Sequence, residues 1–282
     1  MRILHRDEHV LAIDKPAGAL TVPGRAQAPG APAAEDALSV QVRAVAADAL
    51  PVHRLDRFTS GVVLFALGPD AHRALSMAFE SRRAEKLYLA LCRGDLAQPV
   101  TCSLPLAEQR RGGMRVAGPA DKKAQPCETL LTPRERFGAF TWVEARPRTG
   151  RLHQIRVHLA ALGHPLAVDP RYGDGRPLRE AELSASAPDA AANASAASAP
   201  ETAAQESSSA PGSSSAHGSS SAHGSAGGAA PEGEIVLART PLHAASIRVP
   251  HPSGRGWLTI ESPLPPDLSR CLEVLRAARR RR

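Results

Sequence analysis

Residues 184 to 234 contain no Val, Ile, Leu, Met, Phe, Trp or Tyr. A stretch built from Ala, Ser, Gly, Pro and a few acids has too little apolar surface to offset the entropy of ordering it, so this tract is expected to be a disordered insertion. It carries the unit Ser-Ser-Ser-Ala-His-Gly twice in tandem at 213 to 224. His217 and His223 recur there six apart, which leaves open a metal-binding pair or a solvated polar repeat. The core must therefore come from residues 1 to 183 and from 235 onward. Those 231 residues suffice for one large domain or two small ones.

Setting the tract aside also changes the charge. The whole chain has 35 Lys and Arg against 28 Asp and Glu. Five of the acids and none of the bases lie in 184 to 234, so the rest carries +12. Such a balance points to a polyanionic partner. Five bases fall in the last seven residues, Arg276 and Arg279 to Arg282. This basic tail, 276 to 282, reads either as a solvated helix end favoured by the dipole or as an RNA-contacting arm.

No run approaches the roughly 18 uncharged apolar residues of a membrane span. Met1 to Glu8 lacks the apolar core and cleavage site of a signal peptide. Cys92, Cys102, Cys127 and Cys271 are scattered, with no metal-ligand spacing. The expectation is a cytoplasmic protein with reduced, mostly buried thiols, no structural zinc and no membrane association.

Periodicity predicts strands over 9–15, 62–66, 87–92, 140–145 and 257–261. The run Val62 to Ala66 is continuous and is expected to be buried on both faces. Helices are expected over 37–48 and 70–83, the second capped by Asp70. Leu152, Ile155, Leu159 and Leu162 mark one face of a third helix that stops at Gly163. Strands and helices mix without regular alternation, which favours an α+β domain over a doubly wound parallel sheet.

Three clusters carry chemistry. In the first, His53 to Gly61, one carboxylate, Asp56, sits among cations that favour its ionised form. Gly61 permits close backbone approach or a special dihedral. A loop Asp capping a turn is the plain alternative. In the second, alternation puts Lys86, Tyr88 and Ala90 on one face of a strand, where Tyr88 is either a stacking platform for a base or an edge-of-core tyrosine. The third runs from Arg148 to Leu159, with three Arg, two His and one Gln in its twelve residues. Its polar side is either an ordinary solvated face or a surface that grips phosphates and sends a fixed guanidinium into a site.

Together these clusters resemble the RluA-type pseudouridine synthase family. The matching blocks are Ile3-Leu4 through Lys15-Pro16-Ala17-Gly18, His53-Arg54-Leu55-Asp56 with Thr59-Ser60-Gly61, and Lys86 to Ala90. They continue with Thr149 to Arg156 running on to Gly163-His164-Pro165, then Leu242-His243-Ala244 and His251-Pro252. Family order is kept across nearly all of the chain outside the tract and the Arg tail.

The resemblance implies a single α+β catalytic domain, 1–183 with 235–275, whose mixed and largely antiparallel sheet is flanked by helices and loops. It implies an isomerase that converts uridines of structured rRNA or tRNA to pseudouridine. The N1 glycosidic bond breaks, the uracil turns, and C5 is joined to C1′. By the same resemblance Asp56 is the catalytic carboxylate, Tyr88 lies against the target base, and Arg156 pairs with Asp56. Arg54 fills the gap left by the displaced uridine or contacts a phosphate, and Thr59, Ser60, Arg151, His153 and Gln154 touch RNA. No metal or organic cofactor is implied, and the protein is expected to act as a monomer without an obligate protein partner. The first block starts too near Met1 for the S4-type RNA-binding domain of many relatives. Where relatives read Gly-Asp after Gly-His-Pro, this chain has Ala167-Val168-Asp169. The competing classes are a non-catalytic RNA-binding protein and a nonspecific basic binder; the joint presence of Asp56, Tyr88 and Arg156 favours the enzyme.

Overall fold

Alternate residues of the run Val62 to Ala66 face two different cores. Val62, Leu64 and Ala66 pack with Ala71, Leu75 and Ile247, whereas Val63 and Phe65 pack with Leu11, Ile13, Leu38 and Val42. All five are 1% exposed or less, which a period-two strand achieves only between two covering layers.

The computed structural model describes residues 1–24, 36–109, 112–185 and 233–281. In chain order the elements are β1 (Arg2–Arg6), β2 (Val10–Lys15), α1 (Leu38–Arg43), β3 (Ala49–Pro51), β4 (Ser60–Leu67), α2 (Pro69–Glu80) and β5 (Glu85–Arg93). Then come β6 (Val100–Cys102), β7 (Leu106–Glu108), β8 (Met114–Val116), β9 (Thr129–Arg136), β10 (Phe140–Pro147) and α3 (Gln154–Ala161). The last are β11 (Leu178–Arg179), α4 (Glu180–Ala185), β12 (Ile235–Leu237), β13 (Leu242–Pro250), β14 (Trp257–Glu261) and α5 (Pro266–Arg280).

Ten strands form one sheet along the path β1-β2-β4-β13-β5-β10-β9-β6, with β3 added to β4 and β14 to β13. Every pairing is antiparallel except β13 with β4, so the mixed α+β sheet is as expected. The parallel junction pairs His243 with Ser60 and Ala244 with Gly61. Gly61 adopts φ +112°, and a Cβ built there would lie 2.2 Å from the Ala244 carbonyl oxygen. Only glycine fits.

Helix α5 closes one layer. Leu268, Cys271, Leu272 and Leu275 pack on Phe137, Phe140 and Trp142 beside Leu178, Leu183 and Leu237. The helix runs through Arg280, so the expected boundary between 275 and 276 falls inside it. Arg276 and Arg279 reach Glu135 of β9 at 2.5 and 3.4 Å. All four cysteines are free and buried, and burial pushes the Cys92 and Cys271 thiols up to about 12. Such thiols are packing groups, not nucleophiles.

Three helix expectations need correction. Asp70 lies inside the first turn of α2; Gly68 is the cap, with φ +84°, and Pro69 follows at the first helical position, where its missing N–H costs nothing. The 37–48 helix shrinks to α1. The third helix opens at Gln154, because His153 takes a left-handed φ of +52°. The expected disordered insertion lies outside the described residues except at its ends, where Ser184 and Ala185 close α4. β11 and β12 pair across it, Leu178 with Leu237. No helix among the described residues is long and apolar enough to cross a membrane.

Candidate active site

The loop between β3 and β4 carries Asp56, and alternate residues pin it from behind. His53 Nε2 accepts the Leu64 N–H at 3.0 Å and its ring stacks on Phe79. Leu55 exchanges two hydrogen bonds with the Thr21 hydroxyl, N–H in and C=O out, each 3.1 Å. The Arg57 carbonyl accepts from Lys15 Nζ at 3.0 Å and from Gly18 N–H at 2.8 Å. Lys15 is wholly buried and also donates to the carbonyls of Pro16 and Ala19. Burial draws its pKa down to about 7, against the pull of Asp56. With these residues held, Arg54 and Asp56 face the other way.

They face a pocket of about 100 Å³ closed by Tyr88 and Lys86 of β5, the 147–151 turn and the start of α3. A groove of about 540 Å³ continues from it past Arg54, Lys86 and Arg148 to Arg82. Burial and the neighbouring Asp56 charge push the Tyr88 phenol up, so it stays neutral. Lys86 donates to the Thr149 carbonyl at 2.9 Å, and burial lowers its pKa to about 8.

Arg156 is the hub. Its Nε and Nη2 donate to the two oxygens of Asp169 at 2.7 and 2.8 Å, and Nη1 donates to Asp56 Oδ2 at 3.2 Å. Asp169 is 0% exposed and also accepts the N–H groups of Arg171 and Tyr172. Burial opposes its charge, but these donors and the guanidinium hold its carboxyl below the usual range. Asp169 thus balances the charge of Arg156, and Asp56 keeps an anionic face toward the pocket. The left-handed backbone of His153 sets its ring between Tyr172 and Asp56. Met114 N–H donates to the Tyr172 hydroxyl, leaving that proton for His153 Nδ1 at 2.8 Å. The tautomer assigned from this network carries its proton on Nε2, 3.7 Å from Asp56 Oδ2.

Asp56, Tyr88, Arg156, Arg54, Thr59, Arg151 and His153 therefore converge on one pocket. Two expected RNA contacts are committed to internal partners, although Gln154 also lines the pocket. The Ser60 hydroxyl donates to His243 Nδ1 at 3.0 Å, and His243 Nε2 donates to the Ser262 carbonyl, all buried beside the parallel strand pair. Gln154 spends its whole amide on Glu128, Thr129, Thr149 and Arg151 N–H, which leaves nothing for a ligand. The polar side of α3 is not solvated either: Gln154, Arg156 and His158 are all buried. Lys86, on the same strand face as Tyr88, lines the pocket too; sequence reasoning missed Tyr172 as the partner of His153 and Asp169 as the partner of Arg156. The signals for Asp169 were a lone carboxylate ending the apolar run Pro165 to Val168 and its place after Gly163-His164-Pro165, where relatives read Gly-Asp.

A family model described as RNA pseudouridylate synthase matches residues 9–161. Over 277 residues the chain is 32% identical to the ribosomal large subunit pseudouridine synthase C of Salmonella typhi, covering 98% of this chain and 70% of that one. The chain belongs to the RNA pseudouridylate synthase family. This synthase is 38% identical over 179 residues to the dual-specificity RNA pseudouridine synthase RluA of Yersinia pestis, covering 61% of this chain and 82% of that one. It shares its fold with human RNA pseudouridylate synthase domain containing 4, at a TM-score of 0.64 and 20% identity over 97% of this chain and 92% of that one. It is an RNA pseudouridine synthase of the RluA type, hence an isomerase.

Proposed function

We propose that this synthase isomerises uridines in structured ribosomal RNA with Asp56 as its catalytic carboxylate. The observation that carries this reading is the unequal sharing of Arg156, which gives two bonds to Asp169 and one to Asp56. Asp56 is thereby fixed in direction while its charge stays available. Breaking the N1 glycosidic bond builds positive charge on the ribose, and a held carboxylate at that sugar lowers the barrier. Tyr88 offers a ring against the uracil as it turns before C5 bonds to C1′. A uridine of structured RNA brings its ribose to Asp56 by leaving its stack, which costs a few kcal/mol, and exposed Arg54 beside the pocket is placed to fill the gap. Thr59, Arg151 and His153 line the same pocket and contact the flipped nucleotide or its phosphates.

Large-subunit rRNA is the proposed substrate because the relatives matched along nearly the whole chain are named for it. We place the synthase in the cytoplasm as a monomer, in keeping with its four buried free thiols. The deciding experiment supplies RNA tritiated at uracil C5 and counts released label, with pseudouridines mapped in total RNA with and without the gene. Release by the wild type, none by Asp56→Asn, and a missing pseudouridine in large-subunit rRNA are expected. Equal release by Asp56→Asn would refute the role of Asp56, and a lost site in tRNA alone would refute the substrate.

A further inference from the structure

Beyond the pocket, the turn that holds Asp56 presents two other side chains to solvent. Thr59 N–H donates to the Asp56 carbonyl at 3.1 Å, so Arg57 and Phe58 occupy the central positions of a four-residue turn. Asp56 and Thr59 line the pocket, while Arg57 and Phe58 lie outside it and exposed. Phe58 is 42% exposed, whereas Phe65, Phe137 and Phe140 are at most 1% exposed. Turn tips favour Gly, Asn, Asp or Ser, and an exposed phenyl ring gains little from folding there. The backbone beneath it is nonetheless held firmly, by Lys15 and Gly18 on the Arg57 carbonyl and by Arg239 Nη1 on the Phe58 carbonyl at 3.4 Å. The Arg57 guanidinium lies 5.1 Å from the Phe58 ring centroid, with its Nε donating to the Gly18 carbonyl.

We propose that Phe58, backed by Arg57, is a stacking platform for the nucleobase adjacent to the target uridine. When the uridine leaves its stack, each neighbouring base loses a partner face. An aromatic ring replaces that face whatever the base, and a guanidinium beside it meets the phosphate. The ends of such a turn are less than about 7 Å apart, so the ring stands within roughly one nucleotide of Asp56. The inference rests on the reading that Asp56 meets the target ribose.

The probe is a hairpin transcript spanning the uridine mapped as above, with 2-aminopurine one nucleotide to either side. Bound to Asp56→Asn protein, one of the two labels is expected to be quenched by stacking, and adding Phe58→Ala to abolish that quench. In otherwise wild-type protein Phe58→Ala raises KM about tenfold, within the roughly fivefold to 150-fold range of one base–aromatic stack. Phe58→Tyr retains the quench and the low KM; Phe58→Leu, as apolar but without a π-face, loses both. Unchanged quenching in Phe58→Ala, or Leu serving as well as Tyr, would overturn the platform. So would unaltered RNA affinity with a changed elution volume, which would make the ring a protein contact. If Asp56→Asn still releases tritium, the Asp56 reading fails; if it is silent while Phe58→Ala binds and quenches as the wild type does, the platform alone fails.

Discussion

Arg156 Nη1 holds Asp56 Oδ2 at 3.2 Å across 100 residues of sequence. The guanidinium is 10% exposed and Asp169, behind it, is fully buried, whereas Asp56 is 23% exposed. One guanidinium therefore serves a purely internal carboxylate and one that looks into the pocket.

Removing the internal partner should be costly. Asp169→Asn leaves Arg156 buried without its compensating charge, and breaking such a pair costs about 3 kcal/mol or more. Urea unfolding should report that loss, and tritium release should fall as Arg156 swings toward Asp56. The pH dependence separates charge from packing. Asp169 has a folded pKa below its unfolded value, so its contribution is present above about pH 4 and is lost as the pH falls through the folded value. The wild type should lose stability in acid more steeply than Asp169→Asn.

Lys86 should give the free enzyme an alkaline limit. With its pKa drawn down to about 8 by burial, it is a cation below that pH and neutral above it. RNA affinity and kcat/KM should therefore decline as the pH rises from 7 to 9. Arginine stays charged throughout that window. Lys86→Arg should hold its kcat/KM to higher pH than the wild type, with the residual fall following Lys15, whose pKa is drawn down to about 7, and the measurement is kcat/KM against pH in both proteins.

Gly61→Ala should fail structurally rather than chemically. The new methyl would meet the Ala244 carbonyl at 2.2 Å at a φ of +112°, and neither backbone can move without parting β4 from β13. A destabilisation of roughly 3 kcal/mol or more is expected, read by thermal denaturation, with activity lost through Asp56 next door.

Replacing residues 186–232 with a short Gly/Ser linker should leave folding and tritium release intact. The flanking chain already meets, since Arg179 pairs with Ile235 and the Glu180 N–H donates to the Glu234 carbonyl at 3.0 Å. Closing a shorter loop costs no more entropy than closing a longer one. A variant that folds but no longer modifies RNA would assign the tract a part in substrate binding.

What could be read from the residues alone divides along physical lines. Long apolar runs with a clear period, such as those in β4, β5, β10 and β14, declare themselves because their burial is local. β1, β3 and β6 to β8 have three to five residues each and take their order from neighbours. β13 was hidden because its polar residues are satisfied only by distant partners, as His243 is by Ser60 and Ser262. Asp56, Tyr88 and Arg156 were legible through motif resemblance, and they do converge. Gln154 and Ser60 spend their side chains on internal partners, which spacing leaves open because it defines a face without saying whether another element covers it. Asp169 was missed because its partner lies 13 residues away across a turn.

The placement of β13 also sets an order of assembly. β4 and β5 do not pair with each other; each pairs with β13, the strand that arrives after the Ala/Ser-rich tract. β3 covers the far end of β4, but while the chain is being made the start of β4 and one side of β5 must wait as open edges until about residue 250 has emerged, and open edges invite pairing with other chains. Asp56 stands just before one of those edges and Tyr88 lies within the other. A nascent chain thus holds Asp56, Tyr88, Arg156 and Asp169 well before it holds the pocket, and the centre that acts on RNA closes only once β13, which brings Leu242 to its wall, has been made.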